Sequence, residues 1–185
     1  MKMRSEQTGR SMVEMLGVLA IIGVLSVGGI AGYSKAMAKY KLTKAMDQVS
    51  TTITNIRTLY SGQPNYSGLT TQVMIQMGAV GAEMLNGQSP TTATVAYNAF
   101  NGTVTIEGTP QQTFKIKFAG LSKEACVAIA SSDWGSGSGS GLVSVQAGSA
   151  TAGTTASGTL PLSLATAATG CNSVGDTNYV TWEYY

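Results

Sequence analysis

The sequence predicts an α+β protein in which one long N-terminal helix is followed by a head built on an antiparallel β-sheet. Two observations carry this prediction. A stretch of twenty residues without a charge, residues 15–34, runs directly into an amphipathic segment that keeps helical spacing. Further along the chain, short segments alternate polar and apolar residues, as half-buried antiparallel strands do. We expect the uncharged half of the helix to protrude and the amphipathic half to pack against the sheet.

Composition narrows the range of functions. The 185 residues are enough for one head and one anchor. Charged residues make up 11% of the chain and the net charge is +2, so we expect no nucleic-acid partner. With no histidine and two cysteines, the chain lacks the commonest general base and any set of four soft zinc ligands. No metal or cofactor is predicted, and the nine scattered acids form no obvious catalytic pair, so we predict that the protein is not an enzyme.

The uncharged segment is long enough to cross a bilayer. It lies between Glu14 and Lys35 and would span about 30 Å as a helix. Lys2, Arg4 and Arg10 precede it, which favours a cytoplasmic N-terminus and an exported head. Four lysines that follow the segment weaken this signal: Lys35, Lys39, Lys41 and Lys44.

A cleaved secretory signal peptide is the alternative interpretation of this region. Ala36-Met37-Ala38 places small residues where a signal peptidase requires them, so the mature chain would begin at Lys39. The apolar run is longer than the usual 7–15 residues of such peptides, and it begins beside a carboxylate, Glu14. Both features favour retention of the segment.

An apolar stripe continues the helix beyond the uncharged segment. Its six members are spaced 4, 3, 4, 3 and 4 residues apart and therefore share one helical face: Leu42, Met46, Val49, Ile53, Ile56 and Tyr60. We expect one helix from about Ser11 to Tyr60, roughly 75 Å long. A loop at residues 61–65 and a short helix at about residues 69–80 follow it.

The residues around the start of the apolar run resemble the processing site of type IV prepilins. They read Gly9-Arg10-Ser11-Met12-Val13-Glu14-Met15-Leu16. In that family a short basic leader ends in glycine, and the fifth mature residue is a glutamate before an apolar helix. The resemblance implies a leader at residues 1–9, cleavage by prepilin peptidase, and an N-methylated Arg10. Arg10 departs from the apolar residue usual at that position, and the anchor lacks the proline of many relatives.

The resemblance also implies an architecture and a function. The fold would be a pilin αβ-roll of the type IVb, PilS-like branch, with an anchor or filament-core helix at residues 10–35 and a head at residues 36–185. The chain would be a pilus subunit whose partners are its own copies, the peptidase, the assembly machinery, the bacterial inner membrane and a receptor. It would be extracellular after assembly. The alternatives are a pseudopilin of type II secretion, a minor tip pilin or adhesin, and, more remotely, an anchored periplasmic enzyme.

A carboxylate at the start of an apolar segment is costly unless it is paired. The resemblance implies that Glu14 accepts hydrogen bonds from the charged amine at Arg10 of a neighbouring subunit and so sets the axial register. Two simpler interpretations remain open. Glu14 can pair with Arg10 within one helix, or it can sit at the lipid headgroups near the helix N-terminus.

Four glycines in the apolar helix are candidates for flexibility during assembly: Gly23, Gly28, Gly29 and Gly32. Each is less favourable in a helix than alanine by roughly 1 kcal/mol where water can reach it. Small residues also let membrane helices pack closely, so close packing is an equally weighted alternative.

In the head, alternation predicts a hairpin from Thr103–Ile106 and Phe114–Phe118, with a turn at residues 107–111. Ser122 is predicted to cap a helical turn that carries Cys126, and residues 180–184 are predicted to form a final strand.

Two cysteines in an exported chain predict one disulfide, Cys126–Cys171, which encloses 44 residues. The enclosed stretch is rich in Gly, Ser, Thr and Ala, so we expect an exposed loop with short strands such as residues 142–146. This stretch resembles the disulfide-bounded variable region of pilins, which implies the outer surface of a filament. A flexible low-complexity loop is the alternative.

Overall fold

The computed structural model describes residues 7–110, 112–137, 139–150 and 153–185, with the backbone alone for residues 7–11. Its first element is the helix α1, Gln7–Tyr60. This confirms the predicted long helix and its end at Tyr60, although the helix begins four residues before the expected Ser11. The chain divides into an N-terminal unit, residues 1–40, and a C-terminal unit, residues 41–185.

The C-terminal unit contains one six-stranded antiparallel sheet, which confirms the predicted fold class. Its strands are β1 (Ala96–Tyr97), β2 (Thr103–Gly108), β3 (Phe114–Leu121), β4 (Leu142–Ser149), β5 (Thr155–Ser157) and β6 (Asn178–Tyr184). The order across the sheet is β1-β2-β3-β6-β4-β5, so the strand that comes last in the chain lies between β3 and β4.

The helices of this unit are short. They are α2 (Thr71–Gln76), a 3-10 helix (Ala82–Leu85), α3 (Lys123–Ala130) and α4 (Leu164–Gly170). Ser122 caps α3 as predicted, because its side chain accepts a hydrogen bond from the Ala125 amide. α2 is shorter than the expected helix at residues 69–80, since Gly78 has a φ of 74° that a right-handed helix does not accommodate.

The predicted stripe on α1 belongs to the hydrophobic core of the C-terminal unit. Val49 and Ile56 are fully buried and Ile53 is 7% exposed, while Leu42, Met46 and Tyr60 are partly buried against the same core. The sheet contributes the large aromatic side chains of this core: Phe114, Phe118, Trp182 and Tyr184. The apolar face of the helix therefore packs where the sequence pattern places it.

The hairpin and the final strand are also confirmed. β2 pairs with β3 in a register that places Ile106 opposite Ile116. In β6, Val180, Trp182 and Tyr184 are buried and alternate with half-exposed Thr181 and Glu183. One face of the sheet therefore lies on the core and the other faces solvent.

The disulfide-bounded stretch is more regular than predicted. The expectation of an exposed loop with short strands is wrong for β4, which runs for eight residues and pairs with β6 over most of its length. Val145 and Ala147 of β4 are buried, and β5 and α4 follow within the same stretch. A strand with so few large side chains forms because its neighbour β6 supplies the ladder hydrogen bonds and the aromatic core.

The predicted disulfide is present between Cys126 in α3 and Cys171 at the end of α4. Both cysteines are fully buried, and the described residues include no free cysteine. The bond therefore joins two short helices that pack beside β4 and β6.

Candidate functional site

Between residues 12 and 33, α1 carries exposed apolar side chains on every side. Its large apolar side chains between residues 12 and 33 are each 53% to 75% exposed: Met12, Val13, Met15, Leu16, Val18, Leu19, Ile21, Ile22, Val24, Leu25, Val27, Ile30 and Tyr33. We call this set the N-terminal apolar surface. By length and composition α1 is suited to cross a membrane. A contiguous exposed surface of this kind is unfavourable in water and requires lipid or other protein chains around it.

Glu14 is the one acid within the N-terminal apolar surface. Its side chain is exposed and has no hydrogen bond or ion pair with any side chain that the structure describes. The predicted partner, Arg10, lies in α1 among the residues for which only the backbone is described, and the same holds for Gly9. The pairing of Arg10 with Glu14 and the processing site at Gly9 and Arg10 therefore stay predictions.

The four candidate glycines lie within α1, which is helical throughout this stretch. A Cβ atom placed on Gly23, Gly28, Gly29 or Gly32 would meet nothing within 4 Å. The described part of the chain therefore contains no close neighbour that requires glycine at these positions. A role for these glycines in helix flexibility or in close packing against other chains stays a prediction.

Arg57 fastens the C-terminal end of α1 to the head. Its Nη2 donates to the carbonyl oxygen of Ser140 at 2.6 Å, and its Nε donates to the Tyr185 oxygen at 3.2 Å. The guanidinium also lies 4.9 Å from the centre of the Tyr184 ring. Sequence reasoning placed Arg57 only on a polar helix face, because partners 83 and 128 residues away leave no local signal.

Tyr184, which lies beside Arg57 at this junction, has a raised pKa. Burial raises the pKa of Tyr184 to about 12, and the positive charge of Arg57 acts in the opposite direction. The Tyr184 hydroxyl donates to the carbonyl oxygen of Trp134 at 3.0 Å. The folded state thus holds the phenol proton more tightly than the unfolded state, where the pKa is about 10.

This shift predicts an alkaline loss of stability. The contribution of Tyr184 is complete below about pH 10 and disappears as the pH rises through about 12, because the unfolded state releases the proton first. We expect Tyr184→Phe to lower the free energy of unfolding by about 1 kcal/mol at pH 7, through the lost hydrogen bond, and to flatten the decline above pH 10. Urea unfolding at several pH values measures both effects. Tyr185→Phe is the matched control, since Tyr185 is 64% exposed, and equal alkaline slopes in all three proteins would contradict the prediction.

The solvent face of the sheet carries two lysines that each contact a neighbouring side chain. Lys115 lies 3.9 Å from a carboxylate oxygen of Glu183, and the Lys117 ammonium lies 3.9 Å from the centre of the Tyr179 ring. These residues line a groove of about 270 Å³. Among the described residues, no three His, Cys, Asp or Glu side chains come together as metal ligands.

Sequence reasoning also missed the polar residue that organises the end of the disulfide-bounded stretch. Asn178 is fully buried, and its side-chain oxygen accepts a hydrogen bond from the Ser173 amide at 3.0 Å. Its side-chain nitrogen donates to the carbonyl oxygens of Leu121 and Ser173, each at 3.1 Å. Asn178 thus links the segment after Cys171 to the end of β3, and a single asparagine at the start of a strand gives no sequence signal of this role.

Comparison with known proteins gives consistent matches. The family model described as Bundlin matches residues 34–185 of the chain. Two curated relatives, each described as "Major structural subunit of bundle-forming pilus", come from Escherichia coli O111:H- and from Escherichia coli O127:H6 (strain E2348/69 / EPEC). Each is 27% identical over 95% of this chain and 93% of the relative. The crystal structure of a type IV b pilin from Salmonella typhi matches 79% of this chain and 98% of its own with a TM-score of 0.52 and 19% identity, a likeness of fold.

Proposed function

The chain belongs to the bundlin family, and from this premise we propose that it is a structural subunit of a type IV pilus that polymerises through the first half of α1. The relatives are structural subunits, which argues against a catalytic role for this chain. The assembled pilus is extracellular.

The N-terminal apolar surface is the observation that carries this proposal. Side chains that are more than half exposed on every side of a helix need an apolar environment in every direction. A bilayer provides that environment before assembly, and a bundle of identical helices provides it in a filament. The same surface therefore serves two successive stages of one process, first as an anchor and then as the filament core.

Before assembly, we propose that residues 1–9 form a leader that prepilin peptidase removes on the cytoplasmic side. Residues 10–35 then hold the subunit in the bacterial inner membrane, with residues 36–185 outside it. The assembly machinery and a receptor on another cell are further proposed partners of the subunit. The disulfide-bounded region, residues 126–171, is the proposed outer surface of the filament.

Within the filament, we propose that Glu14 pairs with the charged amine of Arg10 on a neighbouring subunit. The exposure of Glu14 and its lack of a described side-chain partner support this role, since a lone carboxylate in an apolar bundle costs several kcal/mol. Gly23, Gly28, Gly29 and Gly32 are proposed as the places where α1 can locally unwind when it leaves lipid. The open space around each of them supports a role outside the isolated subunit.

Processing is the experiment that tests this scheme most directly. We expect the intact mass and the N-terminal sequence of protein from purified filaments to show a chain that begins at Arg10, with 185 − 9 = 176 residues. A chain that begins at Lys39 would instead identify a secretory signal peptide. A chain that still begins at Met1 would identify a plain membrane anchor, and either outcome contradicts the proposed mechanism.

A further inference from the structure

We propose that two tyrosines and two lysines at the end of the N-terminal apolar surface bind the phosphate headgroups of anionic lipids before the subunit is assembled. We call this set the interfacial ring: Tyr33, Lys35, Lys39 and Tyr40. The inference rests on the membrane stage of the proposed function and adds a lipid partner to it. It also gives a role to Lys35 and Lys39, two of the four lysines that weaken the charge signal for membrane orientation.

The position of the ring along α1 matches the thickness of a bilayer. The nineteen residues from 15 to 33 span about 28 Å of helix, close to the roughly 30 Å of hydrocarbon in a membrane. When the apolar residues fill the hydrocarbon, Glu14 reaches one headgroup layer and the interfacial ring reaches the other. The ring itself occupies about 10 Å of helix length, from Tyr33 to Tyr40.

The tyrosines and the lysines of the ring occupy two different sides of the helix. At 100° per residue, Tyr33 and Tyr40 lie about 20° apart. Lys35 and Lys39 lie about 40° apart from each other and about 100° to 160° away from the two tyrosines. Because α1 before the ring is apolar on every side, the helix enters the headgroup layer end on and does not lie along it. Both sides of the ring then meet headgroups at a similar depth.

No acid on the helix lies close enough in sequence to balance the charges of the ring. The sequence contains no Asp or Glu between Glu14 and Asp47, so Lys35 lies twelve residues from the nearer of these acids and Lys39 eight. Both lysine side chains are exposed, and neither forms an ion pair with a residue that the structure describes. Two adjacent cations without partners need an external anion.

The chemistry of the four side chains favours lipid as the source of that anion. Lysine reaches phosphate with its ammonium while its methylene stem lies along the apolar layer. Tyrosine places its ring at the boundary of the hydrocarbon and its hydroxyl among the headgroups, and Tyr33 and Tyr40 are 68% and 60% exposed. Carboxylates of a second subunit would satisfy the lysines but would give no reason for two tyrosines at the same depth.

The test uses the full chain in liposomes of mixed phosphatidylcholine and phosphatidylglycerol. Electron paramagnetic resonance of spin-labelled lipids measures which lipid is motionally restricted by the protein. We expect spin-labelled phosphatidylglycerol to be preferred, and Lys35→Gln with Lys39→Gln to reduce that preference by about fivefold per lysine. Lys117→Gln with Lys123→Gln is the matched control, since it removes the same charge from the head and should leave the preference unchanged.

Three results would overturn the inference. The first is an absence of lipid preference in the unaltered protein, and the second is an equal loss of preference in the head control. The third is an unchanged preference in the ring variant together with loss of filaments, because that result would assign the lysines to a neighbouring subunit. Failure of the chain to insert would overturn the membrane stage of the proposed function together with this inference. A clear phosphatidylglycerol preference in a chain that never forms filaments would support the inference and overturn only the pilus proposal.

Discussion

Replacing Glu14 with valine is expected to abolish filament formation while leaving the chain in the membrane and the head folded. The change removes one partner of the proposed intersubunit pair and leaves the amine of Arg10 buried without its carboxylate. Loss of one partner of a buried pair costs about 3–5 kcal/mol, which weakens each subunit contact by more than about 100-fold. The valine itself suits the apolar surface around position 14, so insertion should not suffer.

Filament yield, measured by shearing and electron microscopy, is the readout for Glu14→Val, and membrane fractionation shows whether insertion is retained. Glu124→Val is the matched control, because Glu124 is an exposed carboxylate in the first turn of α3 within the head. We expect filaments from the control and none from the Glu14 variant. Normal filaments from Glu14→Val would remove the proposed register role, and the exposed carboxylate would then belong to the lipid headgroups.

The second large effect concerns the disulfide. Replacing Cys126 and Cys171 together with serine is expected to lower the free energy of unfolding of the head by about 4 kcal/mol, because the bond restricts an enclosed loop of 44 residues in the unfolded chain. The whole free energy of unfolding of a small domain is only about 5–15 kcal/mol. The expected fall in the melting temperature is about 10 °C or more.

Thermal unfolding of the full chain in detergent, followed by tryptophan fluorescence, measures the effect of the disulfide. Trp134 and Trp182 report on unfolding of the hydrophobic core of the head, because Trp182 belongs to that core and the Trp134 ring packs against it, 5.0 Å from the Trp182 ring. Reductant added to the folded, unaltered protein serves as a comparison. It should change little below the melting temperature because both cysteines are fully buried. Coincident melting curves for the serine variant and the unaltered protein would show that packing alone holds α3 and α4.

The elements that the sequence predicts well are those whose signal is local. The 4-3 spacing that ends at Tyr60 predicts both the length of α1 and its buried face. Alternation predicts the β2–β3 hairpin and the buried side of β6. The capping role of Ser122 is a local signal, because its side chain accepts a hydrogen bond from the amide of Ala125, three residues later.

The parts that sequence reasoning missed depend on distant partners. β4 has weak strand character of its own and forms because β6, about thirty residues later in the chain, pairs with it. The hydrogen bonds of Arg57 and Asn178 likewise join segments that are far apart in the chain. For the candidate site, the sequence locates the apolar surface and Glu14, but it gives no sign of which chain or lipid surrounds them. That information belongs to an assembly rather than to one subunit.

The placement of β6 bears on how the sheet of the head can form. β3 and β4 do not pair with each other, and each is completed by a strand that follows both of them in the chain. Without residues 178–184, the remaining strands belong to two separate ribbons, β1-β2-β3 and β4-β5, that share no backbone ladder. The six-stranded sheet therefore depends on contacts between distant parts of the chain, and contacts of that kind slow folding.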